Sequence, residues 1–153
     1  MAEDTERPPV SSSVSYRDPI AALKWLETAF GLEPRIVVLA ADDTLVHAEL
    51  GYREGVVGVG RAWSPNHASP LDLGGKNTQS IHLQLREDVD AHCARARAAG
   101  AEILMEPADQ TYGDRTYIAR DLEGHVWSFG ETRKRYDRDE FDRTYGTKTR
   151  DRI

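Results

Sequence analysis

Three short spacings carry most of the chemistry open to this chain: His47-Ala48-Glu49, His82-Leu83-Gln84 and Arg115-Thr116-Tyr117. Residues two apart share one face of a strand, so each spacing would present its outer pair of side chains together. An imidazole beside a carboxylate or carboxamide can hold a metal, move a proton or orient a polar ligand. An arginine beside a tyrosine suits a planar carboxylate or phosphate lying against a ring. Trp63 could wall the mouth of such a site. Nucleophilic catalysis finds no support, because there is no Gly-x-Ser-x-Gly elbow and Cys93 falls on the inner face of a helix. Gly55-x-x-Gly58-x-Gly60 lies inside a strand signal and opens no helix, so it is not a phosphate loop.

The elements that must position these residues follow from an internal repeat. The segment from Arg17 to Glu33 aligns with that from Glu87 to Glu102, and Gly31 and Gly100 then lie 69 residues apart. A period that long fits a duplicated supersecondary unit rather than a solenoid. Asp18 and Pro19 open a helix with an Ile20, Leu23, Leu26 and Phe30 stripe that ends at Gly31. Asp88 opens a second, whose inner face is Val89, Cys93 and Ala96, which places His92 on its outer face. Strand signals cover 11–16, 35–40, 45–52, 56–62, 78–86, 103–105, 116–120 and 126–130. The fold class is therefore α+β, built of two βαβββ modules. Residues 1–9 read as a disordered start, 10–63 as the first module, 64–77 as a Pro/Gly-rich linker, 78–130 as the second module and 131–153 as a charged tail. That tail is expected to fray, or to form a short helix ordered by a partner subunit.

Strand alternation assigns the faces. Ile81, Leu83 and Leu85 face the helix, leaving Ser80, His82 and Gln84 on a concave side. Trp127 and Phe129 enter the core, while Val126, Ser128 and Gly130 face the cavity. Val46, Ala48 and Leu50 make a core face, so His47 and Glu49 share the other. Ile118 on the core side sends Arg115 and Tyr117 inward or along the rim. Each has a plainer alternative: His82 and Gln84 hydrating an open sheet, His47 with Glu49 as a solvated pair, and Arg115 pairing with Asp114 or Asp121.

A chain of 153 residues with 39% apolar and 30% charged residues is the size of one domain or two half-domains sharing a core. No apolar run reaches the ~20 residues of a membrane span, and the acidic, polar start has no signal-peptide character. A single cysteine fits a reducing, cytoplasmic setting. A net charge of −6 argues against a nucleic-acid surface.

The repeat, together with Tyr112 to Phe129 and its strand, Asp121-x-x-Gly124 turn and final strand, resembles the vicinal-oxygen-chelate superfamily of glyoxalases, extradiol dioxygenases and bleomycin-resistance proteins. It is nearest the bleomycin-resistance-like branch, over about Ser11 to Gly130. The resemblance implies curved sheets enclosing a cavity, and metal ligands on the first and fourth strands of each module. Those positions match Ser11, Gly58, Ser80 and Ser128, none of which supplies the imidazole or carboxylate that a catalytic divalent metal needs. The expectation is a metal-free and cofactor-free homodimer that binds a small aromatic or anionic molecule, lined by His82, Gln84, Arg115, Tyr117, Trp63, Ser80, Ser128, His47 and Glu49. The alternative is a lyase, isomerase or dioxygenase in which His47, Glu49 and His82 converge on a non-standard metal site.

Overall fold

The computed structural model describes residues 7–153, so most of the expected disordered start at 1–9 lies outside the described residues. Two four-stranded mixed sheets form, the α+β arrangement of paired βαβββ modules. The first module is β1 (Ser12–Ser15), α1 (Pro19–Phe30), β2 (Glu33–Leu39), β3 (Leu45–Tyr52) and β4 (Gly55–Gly60), with sheet order β1-β4-β3-β2. The second is β5 (Ile81–Gln84), α2 (Val89–Ala98), β6 (Glu102–Asp109), β7 (Asp114–Arg120) and β8 (Val126–Thr132), in order β5-β8-β7-β6. A single 3-10 turn, Pro70–Asp72, interrupts the connection, and α3 (Arg138–Tyr145) follows β8.

Local chemistry explains the helices. The Asp18 carboxylate accepts from Ala21 N and Asp88 does the same for Ala91 N, each satisfying an otherwise unpaired helix-start donor. Gly31 closes α1 in the left-handed conformation. Asp137 and Gly146 cap α3 in the same two ways, and Asp142 ties the chain beyond it by accepting from Thr147 and Thr149. Thus a formed helix stands where the composition suggests fraying, and it closes its ends within one chain.

One core serves both modules. Phe30, at the end of α1, places its ring 4.7 Å from Phe129 and 5.4 Å from Trp127 of β8. Arg95 of α2 donates to the carbonyls of Glu27 and Thr28 at the end of α1, and Trp25 Nε1 donates to Ala99 O. A second junction is polar. Asp121 accepts from Tyr16 Oη at 2.6 Å and Trp127 Nε1 at 3.0 Å, while its other oxygen accepts from the amides of Glu123, Gly124 and His125. Buried Glu123 accepts from Ser69 of the connection and from the amides of Arg17 and Asp18 at the mouth of α1. The β7–β8 turn is therefore the clasp between the modules.

Three sequence expectations about faces are corrected. His92 is buried, not outward: its Nε2 meets Phe30 O at 2.9 Å and its Nδ1 meets Tyr117 Oη at 2.6 Å. A carbonyl only accepts, so Nε2 carries the proton and Tyr117 donates to Nδ1. Val46 is exposed while Leu45 is buried, because the register of β3 against β2 jumps at Val46 and that bulge turns Leu45 inward. Finally β7 runs in the opposite phase: Tyr117 lies across from Phe129 in the core, and Ile118 lies across from Ser128 on the open side.

Candidate functional site

The open face of the second sheet carries a continuous polar row. In the parallel β5–β8 ladder His82 sits opposite Ser128 and Gln84 opposite Gly130. His82 Nδ1 is 2.8 Å from Ser128 Oγ and its Nε2 is 3.0 Å from Gln84 Oε1. The Gln84 amide nitrogen then donates to Thr132 Oγ1 at 2.9 Å and to Asp114 Oδ2 at 3.2 Å. The polarity of this row is determined from one end. A carboxylate accepts, so the Gln84 NH2 turns to Asp114 and its oxygen to His82. His82 Nε2 must carry the hydrogen, and Ser128 donates to the Nδ1 lone pair. Both imidazole nitrogens are engaged, the Nε2–H by Gln84 and the Nδ1 lone pair by the Ser128 hydroxyl.

Gly130 supplies the floor beside this row. A Cβ there would stand 3.1 Å from His82 Cε1, 3.2 Å from Gln84 Oε1 and 3.3 Å from the Thr116 methyl. Any larger residue would push into the space above the row.

The equivalent face of the first sheet carries a different set of groups, with Glu49 opposite Gly58. Ser13 lies across β1–β4 from Gly58, and Ser13 and His82, like Gly31 and Gly100, are 69 residues apart. His47 Nε2 approaches Glu49 Oε1 at 3.2 Å, and Arg7 reaches the same oxygen at 3.5 Å. Glu49 is thus hydrogen-bonded to His47 and Arg7 at the surface.

The sequence profile described as the Glyoxalase/Bleomycin resistance protein/Dioxygenase superfamily matches residues 12–129, which span both modules. The chain belongs to that superfamily. An uncharacterized protein of Mycobacterium tuberculosis is 32% identical over 144 residues, covering 92% of this chain and 83% of its own. TioX from Micromonospora sp. ML1 is 34% identical with a TM-score of 0.66, over 82% of this chain and 99% of that one. TnmS3, an antibiotic binding protein from Streptomyces sp. CB03234, aligns with a TM-score of 0.63 at 18% identity, over 86% of this chain and 98% of that one. FosX from Listeria monocytogenes complexed with Mn(II) and sulfate aligns at 0.58 and 14%, over 90% and 97%. At those last two identities the likeness is one of fold.

Of the positions the resemblance matched to metal ligands, Gly58 and Ser128 lie within strands and Ser11 and Ser80 do not. Ser11 precedes β1 and Ser80 precedes β5. The residues that face Gly58 and Ser128 across the ladders are Ser13 and His82. The ladders thus pair Ser13 with Gly58 and His82 with Ser128, a single imidazole among the four. Pairing register is decided by hydrogen bonds between strands, which a short polar run such as Thr78-Gln79-Ser80 does not specify. A lone imidazole among serines and a glycine does not make a divalent-metal site. His47 and Glu49 do not join it: among the described residues no three His, Cys, Asp or Glu side chains group closely enough to hold a metal ion.

The remaining expected site residues divide clearly. His82, Gln84 and Ser128 come together, while Ser80 stays exposed beside them. Tyr117 is fully buried, stacked on Phe129 with centroids 4.6 Å apart. Burial pushes its phenol up, so it belongs to the core and not to a cavity wall. Arg115 shares that side of β7 and grips Asp90 of α2 through two 2.9 Å hydrogen bonds, with Asp109 at 3.2 Å. These are its partners instead of Asp114 or Asp121, and the pairing holds Asp90 below its usual range. Arg115 is a clamp between hairpin and helix. Trp63 is exposed and rests on His67, centroids 4.4 Å apart. Burial raises the Cys93 thiol, consistent with an inert core residue.

Asp114, Thr116 and Thr132 belong to the open face, as Gly130 was expected to, and were missed by sequence reasoning. The continuation of β8 past Gly130 was the available signal, since Thr132 falls on the phase of Ser128.

Proposed function

We propose that this superfamily member is a small-molecule binding protein whose ligand lies on the open face of the second sheet, over Ser128, His82, Gln84 and Gly130. The observation that carries the reading is the hydrogen-bonded row itself. It is a set of fixed, mutually hydrogen-bonded polar groups beside a glycine floor. An aromatic or partly anionic ligand suits it, with the ring over Gly130 and Ile118 and polar atoms at Ser128 and His82. The site works without a metal. The rival reading, a metal-dependent lyase, isomerase or dioxygenase, needs His47, Glu49 and His82 to meet, and within one chain they do not.

The ligand is enclosed by a second copy of the chain. Each module leaves one sheet face uncovered, and β2 exposes Ile36, Val37, Val38 and Leu39, an apolar strip that a homodimer would cover. No helix of the described residues is long and apolar enough to cross a membrane, and the acidic charge disfavours nucleic acid; the reading places the protein in the cytoplasm.

A thermal-shift screen of aromatic acids tests the binding function. A ligand at a hundredfold excess over Kd stabilises by about 2.7 kcal/mol, several degrees for a domain this size. His82→Ala and Ser128→Ala should abolish the shift and Trp63→Ala should leave it. Near-stoichiometric metal in protein purified without chelator, lost in His82→Ala, would overturn the metal-free reading.

A further inference from the structure

The polar row does not end in solvent. Gln84 hands it to Asp114 and Thr132, and those two residues form the base of an open cleft of about 470 Å³ whose other lining residues are Tyr112, Lys134, Tyr136 and Phe141. The superfamily match stops at residue 129, so much of this wall comes from the segment beyond the matched fold. The segment is bolted in place. Gly113 O accepts from Arg133 N at 3.0 Å and Lys134 N at 2.9 Å, and Gly113 has φ +100° with the Lys134 carbonyl where a Cβ would stand. Phe141 is braced by Tyr136 and Tyr145, centroids 5.6 and 4.8 Å away, while Tyr112 and Tyr136 remain 45% and 44% exposed around the cleft.

We propose that this cleft is a second subsite of the same ligand site, taking a planar aromatic group that carries an anionic substituent. The inference rests on the binding function proposed for the row. Three rings line one cleft, and stacked or edge-on aromatic contact favours a flat ring over an aliphatic one of equal area. Lys134 is the cation among the lining residues, whereas Asp114 is already engaged by Gln84, so an anionic group is matched at one rim. The volume lies within the roughly 300–1,000 Å³ common for ligand sites. Continuity with the row gives one ligand polar anchoring at His82 and ring packing at Tyr112 and Phe141.

Titration of the full-length protein with naphthalene-2-carboxylate, followed by amide NMR shifts, tests this. Shifts should appear at Tyr112, Lys134, Tyr136 and Phe141 together with the Gln84 side-chain amide. Tyr112→Ala and Phe141→Leu should each weaken binding about fivefold, and the saturated counterpart, decahydronaphthalene-2-carboxylate, should bind about tenfold more weakly than the naphthoate. Lys134→Gln should weaken the carboxylate but not naphthalene-2-methanol. Tyr112 lies outside α3, so its variant tests the cleft even if Phe141→Leu loosens the helix. Equal affinity in both aromatic variants, or equal binding of decahydronaphthalene-2-carboxylate, overturns the subsite. Shifts at His82 and Ser128 alone overturn it while leaving the binding function intact. Shifts at the cleft without any at Gln84 or His82 overturn the joint site and the proposed function of the row. Absence of any shift at millimolar probe overturns the subsite.

Discussion

Individual side chains divide sharply between those that hold the molecule together and those free to meet a ligand. Glu123 is the clearest of the first kind: it is buried, and it satisfies Ser69 and the two amides that lead into α1. Glu123→Ala should destabilise by about 3 kcal/mol, since it orphans several buried donors at once, and chemical denaturation will measure it. His92 sets a pH dependence. Burial lowers its pKa from the ordinary value of 6.5, with Glu87 3.9 Å away opposing and Arg95 reinforcing the effect. The unfolded chain therefore binds the proton more readily than the folded one, and stability falls as pH drops below about 6.5 toward the lower folded value. Equilibrium unfolding at pH 7.5 and pH 5 should show this loss, and in His92→Gln the slope across that window should flatten.

Among elements, β8 does the most. One face puts Trp127 and Phe129 into the core and the other gives Ser128, Gly130 and Thr132 to the site. Gly130→Val should leave the far-ultraviolet circular dichroism unchanged while lowering ligand affinity about tenfold or more, because a branched side chain fills the floor beside His82. An unchanged Kd would move the ligand elsewhere. The contrast between β8 and β7 shows where the sequence was legible. Trp127 and Phe129 flank a serine, so alternation reads directly. In β7, Thr116, Tyr117, Ile118 and Ala119 all tolerate burial, and only the pairing of Tyr117 with Phe129 chooses the phase. Arg115 and Tyr117 were displaced from the expected site for that reason. His92 was misplaced because helix α2 is covered on a second side by the end of α1, which its own periodicity cannot report.

At the level of the whole molecule the two modules share one core. Phe30 belongs to the first and packs against three aromatic rings or imidazoles of the second, Trp127, Phe129 and His92. Phe30→Ala should cost about 3–5 kcal/mol and still unfold in one transition, seen equally by fluorescence and circular dichroism. Two separated transitions would show that the modules fold apart. Exposed Ile36, Val37, Val38 and Leu39 carry the matching expectation for assembly. Val37→Lys with Leu39→Lys should shift the species measured by sedimentation toward monomer.

The repeat, the helix caps at Asp18 and Asp88 and the alternation in β5 and β8 were local signals, which is why the α+β fold and the facing of His82, Gln84 and Ser128 could be read from the residues in order. Strand register, the phase of β7, the burial of His92 and the joining of Asp114 and Thr132 to Gln84 were decided only by tertiary structure. Each depends on a partner distant in sequence, and hydrogen-bond geometry or packing against that partner, not local preference, selects the arrangement.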